Sequence, residues 1–306
     1  MLPVLRTTII ACFLFSNLSF GKDYILPKDG HLVGELTTFR IPNDNIKPLE
    51  FYAALFNTGL SNLLEANRGI DPWLPAPGQE LLIPQKLILP DNLEEGIVIN
   101  NAEMRLYYYH KDKRSVTVLP VGIGMVDGAS PDNWVTYIRR KKSAPTWTPT
   151  VHERQDYLKE GIRLPAIVPA GPDNPMGNYA LYIGNQYAIH GTNANFGIGL
   201  RVSHGCIRLR NDDIKYLFDN VPTGTRVQFI NQPVKISKEN DGSIWIEVHQ
   251  PLSHSEADLQ SEKDLPLPFS IELLSLIQKG VVDNKKVDLA ITERSGIPLR
   301  IDINNN

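Results

Sequence analysis

The spacing of apolar and polar positions divides the chain into a short mixed segment and a long strand-rich one. It predicts a strand around Leu36 to Ile41, a helix around Leu49 to Phe56, a second around Ser61 to Asn67, and a strand at Glu80 to Ile83. Pro84 to Asn92, with Pro84, Pro90 and Asp91, interrupts the pattern as a boundary would. Beyond it the runs Gly96 to Asn100, Met104 to His110, Ser115 to Gly124, Tyr179 to Gly184, Gln186 to His190 and Arg226 to Asn231 are rich in β-branched and aromatic residues. Gly, Asn, Asp and Pro bound them. A mainly β core over residues 91–231 is the expectation. Ala144 to Thr150 and Pro165 to Pro175 hold too many prolines for central strands, so they are expected as loops over the sheets, where binding commonly resides.

One helix is expected inside this core. Asn211 can cap it, Asp212 and Asp213 complement the positive end of its dipole, and Ile214, Leu217 and Phe218 fall on one face. The final segment, 232–306, opens with a hairpin at Val234 to Val248 that turns on Asn240-Asp241-Gly242. Ser253 to Asp264 has the composition of a linker, Ile271 to Gln278 has helical periodicity with Gly280 just past its end, and Lys285 to Ile303 contains two β-prone runs.

The N-terminal apolar run changes the compartment. Arg6, the apolar stretch Ile9 to Leu18 and the small-x-small Ser19-Phe20-Gly21 read as a secretory signal over residues 1–21, which implies export to the periplasm. A buried helix or an anchor is the alternative, although the run falls short of the roughly 20 residues that span a bilayer. Ile9-Ile10-Ala11-Cys12 also loosely resembles a lipidation site. Composition agrees with a globular chain of two or three domains: 306 residues, 42% hydrophobic and 21% charged. A formal net charge of -3 leaves no footprint for a nucleic-acid partner.

The two cysteines are Cys12 and Cys206, so removal of a signal leaves Cys206 as an unpaired thiol in an oxidising compartment. Its setting offers chemistry. Ile189-His190-Gly191-Thr192 is followed by Ser203-His204-Gly205-Cys206-Ile207-Arg208-Leu209, which brings two histidines and an arginine near one thiol. A histidine within hydrogen-bond reach converts a thiol to a nucleophile near neutral pH. Gly205 removes a side chain that would crowd an incoming carbonyl and leaves the N–H groups of Gly205 and Cys206 to face an oxyanion. The bland reading of Cys206 is a buried, inert hydrophobe.

His190-Gly191-Thr192, then Ser203-His204-Gly205-Cys206-Ile207-Arg208-Leu209 with the cysteine sixteen positions after the first histidine, resembles the L,D-transpeptidase (YkuD-type) family. The resemblance implies a β-sandwich-like catalytic domain in which Cys206 attacks the diaminopimelate carbonyl of a peptidoglycan stem peptide and expels D-alanine. It implies His190 as general base, the Gly191 carbonyl as its orienting group, and His204 as a residue that holds the loop and tunes the thiol. It further implies that Arg208 binds a stem carboxylate, with Ser203, Gly205, Thr192 and Trp147 lining the substrate site. No cofactor or metal is expected, and carbapenems are expected to acylate the thiol.

Residues 22–90 resemble a LysM module, a small β-α-α-β fold that grips glycan. Phe39-x-Ile41, Asn67 and Pro77-Gly78-Gln79-Glu80-Leu81-Leu82-Ile83-Pro84 carry the likeness, while Asn43-Asp44 replaces the family's Gly-Asp opening. Rival functions are a hydrolase with the same nucleophile, a zinc site built from His190, His204 and Cys206, and a non-enzymatic wall-binding protein. The acceptor amine of a transferase is open: a second stem peptide or the lysine of a lipoprotein. Lys141, Lys142, Arg154, Lys159 and Arg163, if they face the cleft, would draw an acceptor bearing carboxylates.

Overall fold

A computed structural model describes residues 21–112, 114–261 and 263–303. The expected signal core, Ile9 to Leu18, and Cys12 lie outside them. No helix among the described residues is long and apolar enough to cross a membrane.

The protein is mainly β. A six-stranded sheet runs in the order Lys22–Ile25, Ser115–Pro120, Arg105–Tyr109, Gly96–Asn100, Arg226–Ile230, Val135–Tyr137. Only the Gly96–Asn100 and Arg226–Ile230 pair is parallel. Both faces of this sheet are covered, which explains why Ile97 to Ile99 and Leu106 to Tyr109 are apolar or aromatic without alternation. Ile97, Ile99, Leu106, Tyr108 and Leu119 enter one core. Val98, Tyr107, Tyr109, Val116 and Val118 enter a second, closed by Tyr24, Val33, Leu87 and Leu89.

Across the first core lies a four-stranded sheet in the order Arg140–Ser143, Tyr179–Gly184, Tyr187–His190, Ile207–Arg208. Leu181, Ile183, Ile189 and Ile207 point into the core between the sheets and are fully buried. Each such side chain contributes roughly 1.5–3 kcal/mol of burial.

The segment after the N-terminal strand has the expected strand, helix, helix, strand order. Thr37–Arg40 pairs with Glu80–Ile83, and between them run α1 (Leu49–Leu55) and α2 (Leu60–Ala66). Asn67 closes this unit: its amide donates to Leu63 O and Leu82 O, and its oxygen accepts from Leu82 N. The unit sits against the loop that follows His190. Leu60 N and Ser61 N donate to Ile198 O and Gly199 O, and Arg210 Nη2 donates to Thr58 O. Lys22–Ile25, grouped with this unit in the sequence, instead forms an edge strand of the large sheet.

The structure adds one helix and changes several readings of the sequence. Between the two proline-rich stretches stands α3 (Val151–Lys159), started by a capping box between Thr150 and Glu153. Asn211 does not cap. It is the first residue of α4 (Asn211–Asn220), whose N-cap position is Arg210. Asp213 sits in the first turn of α4 but is fully buried, and burial pushes its carboxyl up to about 7 while Arg210 pulls the other way. In the tail, the linker holds the short helix α5 (Glu256–Gln260). After α6 (Ile271–Gln278), the first β-prone run is the helix α7 (Asn284–Glu293). The hairpin of Val234–Lys238 and Ile244–Val248 takes Leu299–Arg300 as a third strand.

Candidate active site

The site is built on the parallel pair Tyr187–His190 and Ile207–Arg208, where Ile189 faces Ile207 and His190 faces Arg208. Side chains alternate across a sheet. With Ile189 and Ile207 sunk in the inter-sheet core, Ala188, His190, Cys206 and Arg208 are left on the opposite face. There Cys206 packs with Trp147 and Tyr182 against buried Met176, Ala180 and Ala188.

His190 is buried, and its Nδ1 lies 2.6 Å from Gly191 O. A carbonyl only accepts, so Nδ1 carries the proton and Nε2 keeps the lone pair. Burial lowers the imidazole pKa to about 4, helped by the Arg208 guanidinium and opposed by backbone hydrogen bonds with Gly191 and Met176. Cys206 is half-buried, and burial pushes its thiol up. Glu153 adds to that rise, whereas a backbone hydrogen bond with Ala188 and the charge of Arg208 oppose it. At neutral pH the pair is therefore a neutral imidazole and a thiol.

The turn before the thiol is fixed from inside. Ser203 Oγ donates to Cys206 O at 2.6 Å and accepts from Gly205 N at 3.1 Å, and Gly205 O accepts from Ser130 Oγ at 2.9 Å. Ser203 is buried with its hydroxyl engaged in the loop, so it supports the turn. The Gly205 N–H, expected to face an oxyanion, is held by Ser203. Gly205 has φ +107°, and a Cβ there would lie 2.6 Å from the Tyr187 ring. Its lack of a side chain thus serves the turn and Tyr187.

Thr192 is likewise turned inward: its hydroxyl donates to Ala194 O at 2.9 Å and accepts from Ala194 N at 3.1 Å. Asn211 fastens this segment to α4, donating from Nδ2 to Thr192 O at 2.8 Å and accepting from Asn178 N at 3.2 Å. Asn211 packs where a Cβ of Gly191 would be, which explains a glycine between His190 and Thr192.

The helix α3 supplies residues the sequence reading missed. His204 does not turn toward His190. Its Nε2 lies 3.2 Å from Asp156 Oδ2, its Nδ1 lies 3.6 Å from Glu153 Oε1, and its ring meets His152 edge-on at 5.4 Å. Glu153 is close enough to act on the Cys206 thiol and, with Tyr157, on Arg208. Trp147 packs beside Tyr157 at 6.1 Å. Arg208 is half-buried with its Nε unpartnered among the described residues.

Three of the five basic residues of this region, Lys141, Arg154 and Lys159, are engaged locally. Lys141 Nζ donates to Phe218 O and Val221 O, Arg154 to Pro149 O and Ala166 O, and Lys159 pairs with Asp156 at 2.8 Å. Toward the thiol α3 brings the carboxylate of Glu153. A zinc set of His190, His204 and Cys206 does not assemble. Among the described residues, the donor groups close enough to share a metal are His152, Asp156 and His204, and Glu103, Glu247 and His249.

Comparison with known proteins agrees with this geometry. Residues 94–236 match the YkuD L,D-transpeptidase catalytic domain, and residues 233–301 match the L,D-transpeptidase C-terminal domain, so the tail that carried no readable motif has a family of its own. The chain is 57% identical over 300 residues to the probable L,D-transpeptidase ErfK/SrfK of Escherichia coli K12, covering 97% of each chain. It is 54% identical over 302 residues to the probable L,D-transpeptidase YbiS of the same strain, covering 97% of this chain and 99% of that one. With YcfS, also a probable L,D-transpeptidase of that strain, it shares 46% identity over 279 residues, or 90% of this chain and 86% of the relative. On these relationships, and with a mainly β catalytic region presenting one free thiol, the chain belongs to the L,D-transpeptidase family.

Proposed function

We propose that the protein is a periplasmic peptidoglycan L,D-transpeptidase with Cys206 as nucleophile. The carrying observation is that strand alternation puts Cys206, His190 and Arg208 on one face of a parallel strand pair, with the imidazole held neutral and its Nδ1 bound to Gly191 O. In this reading Sγ attacks the carbonyl of diaminopimelate in a tetrapeptide stem while His190 Nε2 takes the thiol proton. The Cys206 N–H faces the oxyanion, since that of Gly205 is bound to Ser203. Collapse breaks the bond to D-alanine, whose amine leaves with the proton from His190, and a thioester remains. An acceptor amine then attacks the thioester, gives its proton to His190 and regenerates the thiol. Arg208, with an unpartnered Nε, suits a stem carboxylate.

Glu153 bears on the acceptor. An incoming amine is cationic in water, and a carboxylate acting at the thiol draws ammonium groups to the thioester, whether from a second stem peptide or from a lipoprotein lysine. Within the expected span 22–90, residues 37–83 fit a LysM-like glycan-holding module ahead of the catalytic domain at 91–231, the strand Lys22–Ile25 having joined the large sheet. Trp73, 72% exposed, stacks on Phe196 of the loop after His190, which offers an aromatic platform between module and site.

Incubating the mature protein with purified disaccharide-tetrapeptide and reading products by mass spectrometry tests the reading. We expect loss of D-alanine with a new amide to the acceptor amine. Tripeptide alone, with acceptor in excess, would make the protein a hydrolase, and unchanged substrate would make it a wall-binding protein.

A further inference from the structure

Beyond acyl transfer, we propose that His152, Asp156 and His204 hold a divalent cation of the zinc class that fastens α3 to the loop carrying Cys206. His152 and Asp156 are one turn apart on α3, and His204 comes from the strand end just before the thiol. One donor atom from each lies within 4.8 Å of the others. Asp156 Oδ2 is 3.4 Å from His152 Nε2 and 3.2 Å from His204 Nε2. Zinc bonds to imidazole nitrogen and carboxylate oxygen are about 2.0–2.1 Å, and ligands around a tetrahedral ion at that radius stand about 3.3–3.4 Å apart. Both distances match that edge.

The remaining contacts have the form of an outer shell. His204 Nδ1 faces Glu153 Oε1 at 3.6 Å, a carboxylate placed to orient a ligating histidine. Glu153 is itself held by the capping box, accepting from Thr150 N at 2.6 Å. Lys159 Nζ takes Asp156 Oδ1 at 2.8 Å and leaves Oδ2 to the two histidines. The side chains of His152, Asp156 and His204 are 55%, 32% and 21% exposed, so a hydrated ion can reach them and water can complete the tetrahedron. Two imidazoles and a carboxylate suit zinc over calcium or magnesium, which prefer oxygen ligands alone. The ion would tie α3 to the loop carrying Cys206, so bound metal is expected to slow turnover reversibly.

Calorimetric titration of zinc chloride into the mature protein tests this, alongside Cys206→Ser and His152→Ala. We expect one ion per chain in the parent and in Cys206→Ser, and at least tenfold weaker binding in His152→Ala. His152→Ala should fold normally by circular dichroism, and its turnover without metal should match the parent. Cobalt loading of the parent should give ligand-field bands without a sulfur-to-cobalt charge-transfer band. Binding lost in Cys206→Ser and kept in His152→Ala, or a charge-transfer band, would place the metal on the thiol and overturn the proposal. No binding in the parent would leave the three residues as a hydrogen-bonded contact only.

Discussion

His190 and Arg208 are register partners across two parallel strands, so the imidazole shares its face of the sheet with a guanidinium. Burial and this cation hold the histidine neutral, with a pKa of about 4. A base must be unprotonated to work, so activity should persist down to mildly acidic pH. We expect the acid limb of kcat/KM near pH 4, well below the 6.5 of a free imidazole, and a shift of that limb toward 6.5 in Arg208→Gln. The pH profile of D-alanine release measures both.

Gly205 should not tolerate even a methyl group. Alanine at φ +107° costs about 1–3 kcal/mol in backbone strain, and its Cβ would press on Tyr187. Gly205→Ala is expected to lower Tm and to abolish turnover, while Gly242→Ala, whose Cβ would meet open space at a similar φ of +81°, should lower Tm with activity kept. Thermal melts read beside activity separate the two.

Glu153→Gln preserves the side-chain type a capping box accepts while removing the charge. We expect α3 to remain, KM for a cationic acceptor amine to rise several-fold, and kcat for D-alanine release without acceptor to change little. Initial rates over a range of acceptor concentration, at low and moderate salt, check this.

A buried network joins three parts of the chain. Glu103, in the turn before Arg105 of the large sheet, and Arg105 itself meet Lys235 and Glu247 of the C-terminal hairpin and His249 just past it, and His249 Nδ1 reaches Glu65 of α2 at 2.9 Å. Burial alone would lower the pKa of His249, but Glu65 and Glu247 outweigh it and raise the value to about 9. The folded state therefore binds the proton more tightly than the unfolded one. That stabilisation is complete below the unfolded value of 6.5 and is lost as pH rises through about 9. We expect Tm to fall across that window in the parent. In His249→Ala the fall should be absent, with a lower Tm below pH 6.5, because Glu65 loses its ion-pair partner while Glu247 keeps Arg105 and Lys235.

Much of this was legible in the sequence because the signals were local. The β-prone runs from Gly96 to Asn231 and the hairpin at Asn240-Asp241-Gly242 appear where the side-chain pattern puts them. The short strand Ile207–Arg208, which sets His190 opposite Arg208, was not among the expected runs because two residues carry too little periodicity to read. The capping box Thr150-x-x-Glu153 was also visible, but the surrounding prolines masked it, so α3 and its acids went unread. Ser203 and Thr192 were assigned to substrate because a hydroxyl beside a nucleophile has two uses, and only three-dimensional contacts show it bound to its own loop. Asn211 suited an N-cap by type, yet its amide is taken by Thr192 O. The Lys285 to Glu293 stretch illustrates tertiary context overriding strand propensity: Val287 and Ala290 are buried at helical spacing against the hairpin.

The most direct test of the central claim is intact-protein mass spectrometry of the mature chain after brief incubation with disaccharide-tetrapeptide, with Cys206→Ala in parallel. We expect an adduct of the donor minus D-alanine, mapped by peptide digestion to Cys206, and the same residue should carry the adduct when a carbapenem replaces the donor. Cys206→Ala should show neither adduct nor turnover. Turnover retained in Cys206→Ala, or an adduct on any other residue, would contradict a mechanism carried by this thiol.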